Sequence, residues 1–138
     1  MKFYKLIFLF IFFMTYAHAN KDYFEEGLLL YKKKQFDKAK FKFEQDIVFN
    51  PKNEKSYLYL SKIFNKKEKG KLEEKNLQTV ILLNPKNEEA TFNLAKLKLK
   101  ESDFKGSKDL VEKLLIFCKD YCARSKKLKS EIEISLKK

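Results

Sequence analysis

Three glycines, two prolines, two cysteines, one histidine and no tryptophan are spread over 138 residues, and Arg124 is the only arginine. So few glycines leave no glycine-rich loop to cradle a phosphate. Two prolines do not make an extended proline-rich segment, and a content this low in both residues suits helices better than a turn-rich sheet protein or a disordered chain. The lone histidine, His18, lies near the N-terminus. Beyond it no imidazole is left to act as a base or metal ligand, and neighbouring carboxylates such as Glu25 with Glu26, or Glu73 with Glu74, read as solvated helix faces. The expectation is a chain that is not an enzyme and needs no cofactor or metal.

Lysine is the opposite case: Lys and Arg total 31 against 19 acids, a formal charge of +12. Lysine, phenylalanine, asparagine and isoleucine all have codons rich in A and T, so genome composition accounts for part of this excess. The other reading is electrostatic, because a field of this sign raises the local concentration of acidic partners or anionic surfaces.

Residues 1–19 have Lys2 and Lys5, an apolar run from Leu6 to Tyr16, and Ala17-His18-Ala19. That is the three-part pattern of an export leader. As a helix the run would measure roughly 16 Å, too short for a hydrocarbon core of about 30 Å. Small residues at 17 and 19 place cleavage before Asn20, and the alternative is an uncleaved anchor. No cysteine stands there to carry a lipid. Cleavage would remove His18, Lys2 and Lys5, leaving a charge of +10. A secreted, periplasmic location follows as an expectation.

Both prolines fall in one pentapeptide that occurs twice, Asn50-Pro51-Lys52-Asn53-Glu54 and Asn84-Pro85-Lys86-Asn87-Glu88, 34 positions apart. Proline stops the helix before it, and the asparagine two residues on caps the next. A helix-turn-helix unit of this period is the mark of a stacked array. Extending the register gives three units, 20–53, 54–87 and 88–121. One column is small, Gly27, Ser61 and Ala95, as close helix packing requires. Other columns are apolar: Leu29/Ile63/Leu97, Phe43/Leu77/Val111, Ile47/Ile81/Leu115 and Phe49/Leu83/Phe117. Helices are expected near 22–33, 37–49, 54–66, 71–83, 88–100 and 104–118. A seventh, over 122–138, carries Leu128, Ile132 and Leu136 as one stripe to cap the array.

These columns resemble the tetratricopeptide repeat (TPR). Unit one offers Tyr23, Gly27, Tyr31, Phe36, Ala39, Phe43 and Pro51. Unit two offers Tyr57, Leu60, Ser61, Phe64, Leu77, Val80 and Pro85, with Gly70 and Glu73 where the family prefers an aromatic and an alanine, which suggests an irregular inter-helix turn. Unit three offers Leu94, Ala95, Phe104, Ser107 and Leu114, with Lys119 in place of proline. The resemblance implies an all-α, right-handed solenoid of helical hairpins that binds a protein or peptide in a concave groove lined by the first helix of each hairpin. The positions it points to are Phe24, Leu58 and Phe92, with Leu28, Lys62 and Lys96, and Tyr31 beside Lys32, Lys66 and Lys100. An apolar strip beside a lysine ladder would suit an acidic peptide with apolar anchors. An anionic membrane surface is the second reading, and nucleic acid is not expected of an exported chain. The oligomeric state stays open.

Cys118 and Cys122 remain. Side chains four apart on a continuous helix lie about 5–6 Å apart at Cβ, too far for a disulfide. The repeat register independently puts a turn at 119–121, where a bridge could close and stand in for the absent proline. Two free thiols are the alternative, and a metal or redox pair is disfavoured by the spacing.

Overall fold

A computed structural model describes residues 22–137, and the leader-like segment 1–19 lies outside them. The described residues form seven helices and no strand: α1 Tyr23–Lys32, α2 Phe36–Phe49, α3 Glu54–Lys66, α4 Gly70–Leu83, α5 Glu88–Lys100, α6 Phe104–Phe117 and α7 Cys122–Ser135.

Local chemistry sets the starts of these helices. Asp22, Asn53, Asn87 and Asp103 each accept a hydrogen bond from a backbone N–H of the first turn, at 3.1, 3.3, 2.9 and 2.9 Å, so one orphaned donor is satisfied in each of α1, α3, α5 and α6. The stops of α1, α3 and α5 are equally regular but invisible in composition. Lys34, Glu68 and Ser102 hold φ of 59°, 55° and 63°, one per hairpin and 34 residues apart. The residue after each donates its N–H back to a carbonyl of the preceding helix, Gln35 to Leu30, Lys69 to Phe64 and Asp103 to Lys98, at 2.9–3.0 Å. This is the left-handed helix stop that glycine usually occupies. The second unit closes like the others, so the irregular turn expected from Gly70 and Glu73 does not occur. The backbone bonds, not those side chains, define it.

Consecutive helices pair into hairpins, α1 with α2, α3 with α4 and α5 with α6; α2 stacks on α3, α4 on α5, and α7 covers α6 and touches α5. The core is accordingly strung out in three clusters: Ala39, Phe43, Leu60, Ile63 and Phe64; then Leu58, Leu77, Val80, Ala90, Leu94 and Leu97; then Ala95, Val111, Leu128 and Ile132. No single centre gathers them, as expected when each repeat buries its face only against its neighbours.

Polar anchors fix the links between units. Buried Asp46 accepts from Asn50 and Asn53 side-chain amides at 3.0 and 2.7 Å and from the Ser56 hydroxyl at 2.5 Å, tying the first proline turn to α3. Where the third unit lacks proline, the Glu88 carboxylate accepts the backbone N–H groups of Lys119, Asp120 and Tyr121 at 2.8, 3.0 and 2.9 Å. Those bonds hold its pKa below the usual carboxylate value even against its own desolvation. Across the same turn Cys118 and Cys122 form a disulfide with 5.3 Å between Cα atoms, and the helix breaks between them.

Three apolar residues are less buried than the periodicity predicts. Leu29 is exposed although Ile63 and Leu97 are buried, because among the described residues no hairpin precedes α1 to cover it. Phe49 is exposed at the edge of its hairpin, where it stacks on Tyr23. Leu136 lies past the end of α7 and is exposed, leaving Leu128 and Ile132 to seat that helix.

Candidate functional site

Helix α1 and the faces of α3 and α5 enclose a groove of about 530 Å³. Tyr31 forms one wall; Ser61, Lys62, Asn65 and Lys66 come from α3; Glu89, Asn93, Lys96, Leu97 and Lys100 come from α5; Glu73 of α4 reaches the floor. The lysines arrive together because Lys62 and Lys66, like Lys96 and Lys100, are spaced by four on one helix and recur in the next unit.

Five of the ten residues expected at a binding face therefore line the groove: Tyr31, Lys62, Lys66, Lys96 and Lys100. The other five lie elsewhere. Leu58 is buried in the second core cluster with Ala90, Leu94 and Leu97, because α5 covers that flank of α3, so it offers a partner almost no surface. Phe24 packs between Phe43 and Tyr59, with ring centroids at 5.8 and 5.9 Å. Phe92 lies against Tyr121 at 5.3 Å and against the third cluster. Leu28 is half-buried on α1, and Lys32 is exposed at its last turn. Apolar groups at these columns were thus drawn into packing rather than left as a strip.

Three of the four groove ammonium groups are held over aromatic rings. Lys62 Nζ lies 4.7 Å from the Tyr59 centroid, Lys66 5.3 Å from Phe36 and Lys96 6.0 Å from Phe92. Such contacts position a cation without neutralising it. Lys62 also pairs with Glu89 at 2.8 Å. Among the described residues no carboxylate lies within ion-pair distance of Lys66, Lys96 or Lys100.

Glu73 is buried, not solvated as its sequence context suggests, and both its oxygens accept from the Asn65 amide at 3.0 and 3.1 Å. Burial raises its pKa, with the Asn65 bond and then the charge of Lys100 acting against that rise. Tyr31 is likewise pushed up, chiefly by burial, and stays a neutral phenol. With one carboxylate tied to Lys62 and the other sunk in the floor, the open part of the groove has a surplus of positive charge. Asn65, Asn93, Glu73 and Glu89 were not expected at the binding face. The usable signal for the two asparagines was their spacing of three from Lys62 and Lys96 on the same face. Among the described residues no cluster of three or more His, Cys, Asp or Glu could hold a metal.

Hairpins in a regular register, three strung-out clusters and a groove between first helices define an all-α solenoid of TPR type. No protein-family model matches the chain, and no curated protein matches it in sequence. Solved structures do. The first TPR of Spaghetti (RPAP3) bound to the HSP90 peptide SRMEEVD superposes with a TM-score of 0.76 at 15% identity, covering 84% of this chain and 91% of that one. The Sgt2 TPR domain from Aspergillus fumigatus gives 0.72 at 18% identity over 88% and 84%. The Yersinia enterocolitica type III secretion chaperone SycD, in complex with a peptide of the translocator YopD, gives 0.78 at 10% identity over 86% and 95%. At these identities the likeness establishes the fold.

Proposed function

We propose that this chain is an exported, non-enzymatic adaptor whose groove takes an extended acidic segment of a partner protein, in the assembly or upkeep of an envelope complex. The observation that carries the reading is the trio Lys66, Lys96 and Lys100, free of carboxylate partners among the described residues, two of them poised over aromatic rings beside a half-buried tyrosine. Unpaired ammonium groups give on-rate and register to an anionic ligand, and the Tyr31 ring in the groove wall gives apolar contact. Two of the solved structures of like fold hold peptides, SRMEEVD in one and a YopD segment in the other, which supports the mode of binding. The leader-like residues 1–19 support export, with a mature chain starting at Asn20 in the periplasm.

Crosslinked capture from the native envelope tests it. Lys66→Glu with Lys100→Glu should cut capture about tenfold or more and flatten its salt dependence while the helical spectrum is unchanged. Undiminished capture removes the groove from the argument.

A further inference from the structure

Each second helix ends on three consecutive apolar residues: Ile47-Val48-Phe49 in α2, Ile81-Leu82-Leu83 in α4 and Leu115-Ile116-Phe117 in α6. The first of each triplet packs against a core cluster. The middle one does not: Val48 is 75% exposed, Leu82 81% and Ile116 86%. One exposed aliphatic residue is ordinary, but these three share a single column of the 34-residue register, so they form a row crossing the array, extended by exposed Phe49.

The row runs along the edge where second helices end and first helices begin. Contacts across that edge fix it: Tyr23 stacks on Phe49 at 5.4 Å, Asn84 donates to Glu54 at 3.0 Å, and Glu88 gathers the turn after α6. Exposed lysines border it, Lys52 and Lys86 in the two proline turns and Lys119 in the third. Of the nearby carboxylates, Glu54 and Glu88 are engaged as above, Glu44 with Lys40 and Glu112 with Lys129, while Asp22, which caps α1, Glu25 and Asp120 are exposed.

The chain also enters the fold at this edge. Only Ala17 to Lys21 separate the apolar run ending at Tyr16 from Asp22, the cap of α1. Five residues span at most about 18 Å. The opposite edge of the hairpins lies a further helix length away, about 20 Å for thirteen residues. A bilayer that holds or exports the apolar run therefore meets this edge first.

We propose that this edge docks on an anionic lipid surface, with Val48, Phe49, Leu82 and Ile116 entering the interface while Lys52, Lys86 and Lys119 meet headgroups. A second copy of the chain would cover the row equally well, but matching two such edges would set their bordering lysines against each other. Docking here leaves the groove accessible, because Lys66 and Lys100 end their helices at the far edge.

The absence of tryptophan supplies the probe. Mature chains starting at Asn20 and carrying Leu82→Trp, Ile116→Trp or, at the far edge, Leu72→Trp are bound to vesicles of phosphatidylcholine with phosphatidylglycerol in which brominated lipid quenches the indole. Both edge reporters should be quenched about threefold more than the Leu72→Trp reporter, with a blue-shifted emission, and the difference should shrink in vesicles of phosphatidylcholine alone. Two edge reporters guard against one disturbing the fold, which circular dichroism monitors. Equal quenching at both edges overturns the proposal. So does a blue shift that grows with protein concentration in the absence of lipid, which would assign the row to a second copy.

Discussion

Gly27 stands where the first hairpin closes on itself, and a methyl group added there has nowhere to go. A Cβ on Gly27 would lie 2.7 Å from Cε1 and 2.8 Å from Cδ1 of Phe43. Comfortable carbon contacts need about 3.5–4.0 Å, so the ring must retreat by roughly 1 Å. Phe43 is fully buried, stacked on Tyr59 at 5.3 Å and tilted against Phe24 at 5.8 Å, so its retreat displaces two further rings. Helix propensity pulls the other way, favouring alanine over glycine by about 1 kcal/mol, against an overpacking cost of about 1–3 kcal/mol. Steric cost should win, and Gly27→Ala should lose up to about 2 kcal/mol in urea unfolding followed by circular dichroism. A double-mutant cycle makes the cause specific. Phe43→Leu alone should destabilise by opening space, yet in that background Gly27→Ala should cost nothing or stabilise, giving a coupling of about 1 kcal/mol or more. A Gly27→Ala variant as stable as the parent, or a cycle without coupling, would refute the claim that the glycine exists to admit the ring.

Other outcomes follow from named groups. Glu73 has a raised pKa in the fold, so the native state holds more protons than the unfolded chain across the interval between the two values, and stability falls as pH climbs through the folded one. Glu73→Gln should therefore be the more stable protein at pH 7, with the advantage closing toward pH 4; an advantage that widens in acid contradicts the sign. Glu68→Gly removes a side chain from a φ of 55° and should stabilise by about 0.5–1 kcal/mol in thermal unfolding, despite the looser unfolded chain. Replacing Cys118 and Cys122 by serine should cost about 2 kcal/mol in the chain-entropy account of so short a loop, read as a lower urea midpoint under non-reducing conditions.

What the sequence disclosed was what acts locally. The proline turns, the asparagine and aspartate caps and the small column place all seven helices, with the first six starting and ending within a residue of expectation, since each signal operates within a few residues of where it stands. Non-glycine residues at Lys34, Glu68 and Ser102 concealed a helix stop built from backbone bonds. The site was half legible. Lysines at helical spacing announced themselves, whereas the burial of Leu58 depends on a hairpin more than thirty residues downstream, and the Asn65–Glu73 contact joins two helices whose relative roll no periodicity specifies.

The two matching pentapeptides have one more implication. Residues 54–87 begin with Glu54 after one Asn-Pro-Lys-Asn turn and end on the other, immediately before Glu88, so the segment is a cassette with interchangeable ends. A duplicated copy would present the same termini to both flanks and lay down another Lys62 and Lys66. The length of the groove is thus adjustable by whole increments, without redesign of either extremity.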